Sequence, residues 1–308
     1  MSSLWPNLDG SAAGWLAVPR LARALARATM RGRRVAIVDV SGGLGNQLFQ
    51  YAFGRYLESR GFETVYEIRR LLPGADQVGR TYRLHPLQPR TIVLPSNRLL
   101  RGALWRAFGM RLRFEREKFA FVEVGAAPSR SALFAGFWQH AHYAAAGIGN
   151  LRAVLAGIRV DSEIMAQPGI VVGARRGDFT SDGTHRWKIG ALAPEYYTAA
   201  LREAPRGLPI HLFSDESEWA EEVLRRYLEA RFSQPVRVVR GDFDDWQTLA
   251  LMSRGAFHVI ANSTFHWWGA ALSTTSRGCI APEPWQRPLT GRCGILPPEW
   301  RTVTSVFE

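Results

Sequence analysis

The sequence repeats one pattern, in which a short apolar run stops at glycine or polar residues and a segment with helical spacing follows. The first copy is VAIVDV at residues 35–40, then SGGLGNQ, then LFQYAFGRYLESRG. An apolar run without alternation is typical of a strand buried on both faces, because helices cover both sides of a parallel sheet. The pattern therefore predicts an α/β fold built from strand–helix–strand units.

A second series of the same kind fills the C-terminal half. Its predicted strands are residues 169–176, 209–215, 235–240, 257–263 and 279–285, with helices at 195–204, 218–231, 244–255 and from 265 onward. Between the two series, residues 73–130 fit no regular pattern. They are followed by a short apolar run at 132–139 and a weaker helical pattern to about residue 157.

A chain of 308 residues is long enough for two domains. We predict two Rossmann-type α/β domains that face a cleft. Their predicted bounds are residues 30–165 and 166–308, after an N-terminal extension at 1–29.

Composition excludes several classes of protein. Apolar residues make up 46% of the chain and charged residues 21%, which is the balance of a globular protein rather than a disordered one. No window approaches the roughly 18 uninterrupted apolar residues of a membrane span. The two cysteines, Cys279 and Cys293, are too few for a disulfide framework or a metal quartet. We expect them to be reduced thiols in a cytosolic protein.

The net charge of +12 lies mainly in two patches. Residues 1–34 carry six arginines and one aspartate, and residues 98–118 carry seven Lys/Arg and two glutamates. Such patches attract phosphate polymers or anionic lipid heads, so one interpretation is peripheral contact with a membrane. The first patch spaces four arginines as a basic amphipathic helix does: Arg20, Arg23, Arg27 and Arg31. The simpler interpretation of residues 1–29 is an extension that the fold does not use.

Four motifs lie at predicted strand ends, where ligands bind in open parallel sheets. The first, SGGLGNQ at 41–47, joins a strand to a helix. Its glycines would let the backbone approach a ligand closely, and the helix start favours an anion. The alternative is a tight turn in which Asn46 caps the helix. The residues that we assign to this cleft loop are Gly42, Gly43, Gly45, Asn46 and Gln47.

The second motif, VVGARRGDF at 171–179, places Arg175 and Arg176 at the end of a buried strand. If the strand continues through both arginines, alternation sends their side chains to opposite sides, so one guanidinium can face the cleft while the other pairs with a carboxylate. Asp178 is the nearest candidate for that carboxylate. A guanidinium also matches phosphate in bidentate geometry. The alternative is a purely structural arginine–aspartate pair.

The third and fourth motifs place polar residues between a strand and a helix. In HLFSDESEW, Ser214, Asp215 and Glu216 either cap the helix or bind a ribose or a base edge. In VIANSTFHWWGAAL, Asn262, Ser263 and Thr264 would offer hydroxyls and backbone N–H groups to a phosphate. The tryptophan pair in the fourth motif is better explained as core than as a stacking surface: Trp267 and Trp268.

The segments GGLGNQLFQYA, ARRGDF, FSDESEW and ANSTFHWWGA resemble, in order and spacing, the motifs of bacterial α-1,2-fucosyltransferases, glycosyltransferase family 11. The resemblance covers about residues 35–290. It implies a GT-B-like fold and transfer of L-fucose from GDP-β-L-fucose to the 2-hydroxyl of a galactoside, with inversion. The family's arginine motif usually reads His-x-Arg-Arg-Gly-Asp-Tyr, and here Gly173 and Phe179 replace the histidine and the tyrosine.

The resemblance also implies roles for the motif residues. Arg175 or Arg176 would supply positive charge to the departing GDP, in place of a metal. The helix start at Asn262 would hold the phosphates, and Asp215 and Glu216 would lie near the nucleoside. The domain at 166–308 would thus bind GDP-fucose, and the domain at 30–165 would lie on the acceptor side, with its GGLGNQ loop positioning the sugar or the acceptor. Asp178 is a candidate for the base that activates the acceptor, although an ion pair with an arginine would lower its pKa and make it a poor base.

The spelling Asp242-Phe243-Asp244 matches the Asp-x-Asp triplet of metal-dependent transferases. Its position between a strand and a helix favours first-turn carboxylates instead, and no metal cofactor is expected. The expected acceptor is a galactose-terminated oligosaccharide or glycolipid. Two alternatives remain: a GDP-fucose-dependent transferase that makes a different linkage, and a binder of nucleic acid or membrane surfaces that acts through the basic patches.

Overall fold

The computed structural model describes residues 32–76, 79–107, 109–125, 130–160, 167–181 and 187–308, together with Arg23, Ala26 and Met30. The side chains of five residues inside helices are not included in this description: Arg98, Leu100, Leu104, Asp178 and Ser181. Most of the predicted N-terminal extension and its arginine pattern therefore lies outside the described residues. The described residues include no helix long and apolar enough to cross a bilayer.

The chain divides into two compact units, Met1–Gly147 and Ile148–Glu308. The division falls within a helix, Ala141–Gly157. The boundary that the sequence predicts after residue 165 stays a prediction, as do the cleft and the acceptor and donor roles of the two domains.

The first unit is built on a five-stranded sheet in the order β3-β2-β1-β5-β4. Its strands are β1 (Arg34–Asp39), β2 (Phe62–Glu67), β3 (Thr91–Ile92), β4 (Arg111–Phe114) and β5 (Ala132–Ala135). Its helices are α1 (Leu44–Ser59) and α2 (Arg98–Ala107), with short 3₁₀ turns at Arg69–Leu71 and His85–Leu87, and the helix that the division crosses is α3 (Ala141–Gly157). β1 lies in the middle of the sheet, and the four residues from Val35 to Val38 are buried, as its unbroken apolar run predicts.

The second unit is built on a six-stranded sheet in the order β11-β10-β9-β6-β7-β8. Its strands are β6 (Ile170–Ala174), β7 (Ile210–Ser214), β8 (Val236–Val238), β9 (Phe257–Ile260), β10 (Cys279–Glu283) and β11 (Arg301–Thr304). Its helices are α4 (Gly177–Ser181), α5 (Pro194–Arg202), α6 (Ser217–Trp219, a π-helical stretch Ala220–Arg225 and Arg226–Glu229), α7 (Asp245–Met252) and α8 (Thr264–Leu272).

All ladders between these strands are parallel. Counted along the second unit, the strand order is 3-2-1-4-5-6, which is the order of a Rossmann-type domain. Two parallel-sheet α/β units confirm the predicted α/β, GT-B-like class. The strand order also has a switch point between β6 and β9. β7 and β8 are added on one side of β6, and β9, β10 and β11 are then added on the other side.

Two assignments from the sequence need correction. The predicted final strand at 279–285 is not the last, because β11 follows it and pairs with β10. The stretch 73–130 contains β3, α2 and β4, which the sequence did not reveal. β3 has only two residues, and all four residues of β4 are exposed, so neither has the buried apolar run by which the other strands were recognised.

Candidate active site

The second unit brings three predicted motifs to one edge of its sheet. β6 pairs with β7 so that Ala174 lies opposite Ser214, and with β9 so that Gly173 lies opposite Ile260. Because these strands are parallel and in register, the segments that follow them meet at their carboxyl ends. The arginine motif, the SDES motif and the NST motif are therefore neighbours, as the sequence predicts.

Arg175 lies just beyond β6 and forms an ion pair with Asp215, which follows the neighbouring strand β7. Its Nη1 is 3.2 Å from Oδ2 of Asp215, and its guanidinium lies 5.7 Å from the centre of the Phe179 ring. The Arg175 side chain keeps 34% of its surface exposed. Asp215 also accepts the backbone N–H of Arg176 at 2.9 Å, so one carboxylate orders the whole turn after β6.

Gly177 is needed for the close approach of this turn to Asp215. A Cβ at position 177 would lie 2.4 Å from Oδ2 of Asp215, well inside contact distance. A side chain here would have to displace the carboxylate that holds Arg175. The glycine of the ARRGD motif is therefore explained by packing.

Arg176 is held more tightly than Arg175. Its Nε donates to Glu216 at 3.1 Å, its Nη1 forms a second ion pair with Glu308, and its guanidinium lies 4.2 Å from the centre of the Trp219 ring. Only 15% of the Arg176 side chain is exposed. Two carboxylates and an aromatic face occupy this guanidinium, which ties the turn to α6 and to the end of the chain.

The structure thus contains the arginine–carboxylate pairing that the sequence offered as an alternative, with partners from the SDES motif. Asp215 and Glu216 face the arginines. The side chain of Asp178 lies outside the described part, so its pairing and its role as a base stay predictions. The capping interpretation of Ser214 and Asp215 is wrong: Ser214 Oγ accepts the N–H of Glu216 at 3.1 Å, and α6 begins without a side-chain cap.

The NST motif starts α8, with Ser263 at the N-cap position and no side-chain cap bond. The side-chain amide of Asn262 donates to the carbonyl oxygens of Ile189 and Gly190, at 3.2 and 3.0 Å. Its Oδ1 is buried and accepts no hydrogen bond from the described residues. The amide therefore presents an acceptor, which suits an N–H or O–H group. Phosphate binding here would rest on Ser263, Thr264 and backbone N–H groups.

His266 is a residue that the sequence analysis missed. It is only 5% exposed, and an ideal Cβ on Gly173 would lie 2.5 Å from both its Cγ and its Nδ1. The imidazole therefore fills the space beside the end of β6 that a side chain at position 173 would need. This contact explains why Gly173 cannot be a histidine here while His266 is present. The available signal was a histidine two residues into a helix at a strand end.

Comparison with known proteins identifies the family. The description "Glycosyl transferase family 11" matches residues 114–301. An alpha-1,2-colitosyltransferase of Escherichia coli is 30% identical over 82% of this chain and 92% of its own. The chain belongs to glycosyltransferase family 11.

Three further similarities accompany this assignment. The E. coli O-antigen biosynthesis glycosyltransferase WbnK is 34% identical to this family 11 member over 36% of this chain and 37% of its own. Among solved structures, a mutant of Arabidopsis thaliana FUT1 in complex with GDP has a TM-score of 0.44 and 10% identity, covering 85% of this chain and 73% of that one. E. coli heptosyltransferase WaaC with ADP has a TM-score of 0.43 and 13% identity, covering 88% and 93%.

The glycine loop of this glycosyltransferase is braced within the first unit. Gln47 is fully buried; its Nε2 donates to the carbonyls of Gly42 and Thr81, at 2.8 and 2.9 Å, and its Oε1 accepts from the N–H of Arg83 at 2.9 Å. Gly42 has φ +79°, and a Cβ there would lie 2.6 Å from Nδ2 of Asn46. The loop geometry therefore depends on glycine at 42 and glutamine at 47.

Three other residues of the loop behave differently from Gly42. Asn46 does not cap α1, as the alternative interpretation held, because the cap position is Gly43 and it has no side-chain bond. Asn46 Oδ1 instead accepts from Gln139 at 2.8 Å. A Cβ on Gly43 would meet no atom within 4 Å, so the backbone at 43 is open on that side. Gly45 is buried in the first turn of α1.

The second unit also contains the tryptophan pair and the Asp-x-Asp triplet singled out in the sequence. Trp267 and Trp268 are core residues, as predicted, and Trp267 Nε1 donates to the carbonyl of Ile295 at 2.7 Å. Asp244 caps α7: its Oδ1 accepts the N–H of Gln247 at 2.8 Å, and Gln247 accepts the N–H of Asp244 at 3.0 Å. Within the described residues, no cluster of three or more His, Cys, Asp or Glu side chains could hold a metal ion.

Proposed function

We propose that this family 11 glycosyltransferase transfers L-fucose from GDP-β-L-fucose to the 2-hydroxyl of a galactoside, with inversion and without a metal ion. The observation that carries the proposal is the Arg175 guanidinium at the carboxyl end of β6, partly exposed and backed by a carboxylate and an aromatic ring. The family supports the reaction class, and this guanidinium supports the way in which the leaving group is stabilised.

The difficult step in glycosyl transfer is departure of the diphosphate. Negative charge grows on the β-phosphate as the bond to the sugar carbon breaks, and a preorganised cation at that position lowers the barrier. Arg175 fits this role better than Arg176, because 34% of its side chain is exposed to solvent, against 15% for Arg176 between two carboxylates and the Trp219 ring. We therefore divide the arginines into a leaving-group residue, Arg175, and a structural residue, Arg176.

The rest of the donor site follows from the neighbouring strand ends. The backbone at the start of α8, with Ser263 and Thr264, would bind the phosphates, and Asn262 Oδ1 would accept from a hydroxyl or N–H of the donor. Asp215 and Glu216 act through the arginines that they hold and lie on the side where the nucleoside would bind. The Asp178 carboxylate is the proposed base, and Asp178→Asn should abolish transfer while leaving GDP affinity within about twofold.

A colitosyl donor is the second candidate, since the 30% identical relative is named a colitosyltransferase. Colitose is the 3-deoxy form of L-fucose, so the two donors differ by one hydroxyl. A site that binds that hydroxyl rejects the deoxy sugar strongly, whereas an apolar site distinguishes the two weakly. The test is incubation with GDP-fucose or GDP-colitose and a panel of galactosides, followed by product mass and linkage analysis by NMR. A preference for GDP-colitose, or a linkage other than α-1,2, would contradict the proposal.

Metal independence has its own test. The Asp244 carboxylate is engaged in the cap of α7, which supports a structural role for the Asp-x-Asp triplet. Exhaustive chelation should leave turnover unchanged. Loss of activity on chelation, restored by Mn²⁺ or Mg²⁺, would contradict this part of the proposal.

We also propose a cytoplasmic location with peripheral contact at an anionic membrane. Two elements of the first unit, α2 and β4, carry exposed apolar and basic side chains: Leu99, Leu112, Phe114, Arg111 and Arg113. β4 is an edge strand, so its exposed side chains lie at the end of the sheet. Vesicles containing anionic lipid should sediment the protein in low salt, and replacing Leu112 and Phe114 by serine should reduce the bound fraction. Equal sedimentation by neutral vesicles would contradict an electrostatic contact.

A further inference from the structure

Three groups meet at the switch point of the second sheet: the end of β6, the start of α8 and the arginine motif. Gly173 is the fourth residue of β6, and His266 is the third residue of α8. Arg175 follows Gly173 by two residues, in the turn just beyond the end of β6. The His266 imidazole packs against Gly173, and the charge of Arg175 is close enough to lower the pKa of His266.

A buried imidazole at this position lowers the stability of the fold. Nδ1 of His266 is inaccessible to solvent and has no hydrogen-bond partner among the described residues. Burial, and secondarily the charge of Arg175, lower the pKa of His266 to about 3, so the ring is neutral near pH 7. An unpaired buried nitrogen destabilises the fold, and an apolar ring in the same space would avoid that penalty.

A second buried histidine in the same sheet shows the contrast. His258, in β9, is also fully buried, and its pKa is lowered to about 4 by burial. Its Nδ1 lies 2.9 Å from Ser276 Oγ, and its Nε2 lies 2.9 Å from the carbonyl of Met252. Both nitrogens of His258 are occupied by the protein, as expected of a structural histidine, whereas His266 retains an unused nitrogen beside a functional arginine.

We propose that His266 is a positioning residue for Arg175. Its neutral imidazole accepts a guanidinium N–H when the donor diphosphate draws Arg175 toward the switch point, and this bond sets the orientation of the guanidinium at the leaving phosphate. A neutral ring can do this because it accepts a hydrogen bond without repelling the arginine. The inference rests on the proposed function, in which Arg175 serves the leaving group.

The test compares His266→Phe, His266→Gln and His258→Phe with the wild type. For each protein, kcat, the KM for the donor, the Kd for GDP and the melting temperature are measured. We expect His266→Phe to lower kcat at least tenfold and to weaken GDP binding severalfold, with an unchanged or higher melting temperature. His266→Gln, which keeps an acceptor, should recover most of the lost turnover. His258→Phe should lower the melting temperature and leave kcat within about twofold.

A second pair of variants keeps the test decisive if His266→Phe folds poorly. The methyl group of Gly173→Ala would lie 2.5 Å from the ring of His266 and must displace it. We expect this variant to lose about tenfold in kcat, and the double variant with His266→Ala to be no slower than His266→Ala alone. The proposal would be overturned if the kcat of His266→Phe were within twofold of wild type. It would also be overturned if the fold-losses in kcat of Gly173→Ala and His266→Ala multiplied in the double variant.

The outcomes separate this inference from the proposed function. If the wild type binds GDP but transfers a sugar other than fucose, the donor assignment fails and the His266 comparison is made with the sugar that is used. If the wild type does not bind GDP, both fail. If GDP-fucose is the donor and His266→Phe has wild-type kcat and GDP affinity, the inference alone fails.

Discussion

The glycine loop of the first unit and the strand ends of the second unit looked alike in the sequence, as small and polar residues between a strand and a helix. In the structure they differ. Gln47 and Gln50 of the first unit are fully buried, and their amide groups bond to surrounding backbone and to Ser41. In the second unit, Arg175 stays partly exposed, and Asn262 and His266 retain buried atoms without a partner among the described residues.

This contrast distinguishes a structural loop from a binding site. A loop that serves the fold uses its polar groups on its own backbone, because each buried group left unpaired lowers stability. A site that serves a ligand leaves groups for the ligand and loses some stability in doing so. We therefore predict losses of activity from changes at Arg175 and His266 of the second unit, and losses of stability from changes at the buried glutamines of the glycine loop.

The largest effect is expected from Arg175→Ala. Removing a preorganised cation at the developing charge should lower kcat by about 10²–10³, or about 3–4 kcal/mol of transition-state stabilisation. The ion pair with Asp215 is partly exposed, so its contribution to stability is small and the melting temperature should change little. Steady-state kinetics and thermal melts measure both quantities. Near-normal turnover in a folded Arg175→Ala protein would contradict the proposed role of Arg175 at the leaving group.

The next effect is expected from Gln47→Ala in the glycine loop. This change removes two donated bonds and one accepted bond from a fully buried amide, so the free energy of unfolding should fall by about 2–3 kcal/mol. The kcat of the folded fraction should stay within about threefold. A large loss of kcat without loss of stability would show that this loop resembles the second unit after all.

The two units should also respond oppositely to acid. Burial lowers the pKa of His258 to about 4 and of His266 to about 3, so between about pH 6.5 and those values the unfolded chain binds protons that the folded chain does not. The second unit should therefore lose about 1.4 kcal/mol per histidine per pH unit, or about 2 kcal/mol each by pH 5, with full stability above pH 6.5. In the first unit, burial raises the pKa values of Asp39 and Glu67, which has the opposite sign.

Hydrogen exchange at pH 7 and pH 5 checks this contrast. The opening free energies of β6 and β9 amides should fall on acidification, while those of β1 and β2 should hold or rise. His258→Phe and His266→Phe should each flatten the response of the second unit. An equal loss of protection in both units would contradict the assignment.

The smallest effect is expected from Asp244→Ala. Loss of the capping box should lower the free energy of unfolding by about 1 kcal/mol, as is usual for an N-cap. Turnover should be unchanged, with and without chelator. A drop in kcat that added Mn²⁺ rescues would show that the Asp-x-Asp triplet binds a metal.

The sequence predicted the parts that depend on local pattern. Continuous apolar runs such as IVVGA identified the buried strands, and the glycine and polar ends marked where ligands would bind. Exposed β4 was missed because it has no apolar run. Partners across strands were missed for a different reason: the sequence offered nearby Asp178 as the carboxylate for one of the two arginines, whereas Asp215 reaches Arg175 because β6 and β7 pair in register.

The contact between Gly173 and His266 was beyond the sequence for the same physical reason. The two residues are far apart in the chain and meet only because β9 pairs with β6 on the side opposite β7. Position 173 must be glycine because the His266 ring fills the space that a side chain there would need. The family resemblance showed that the usual histidine is absent at 173, and the structure shows that the imidazole of His266 lies beside this position.

The most direct test of the difference between the units is the rise in melting temperature that saturating GDP produces. A ligand that binds only the folded state stabilises it by RT ln(1 + L/Kd), where L is the free ligand concentration, so a weaker complex gives a smaller rise in melting temperature at the same ligand concentration. We expect GDP to stabilise the wild type and Gln47→Ala by the same increment, although they melt at different temperatures, and to stabilise Arg175→Ala much less. An increment that is lost in Gln47→Ala and retained in Arg175→Ala would contradict the account.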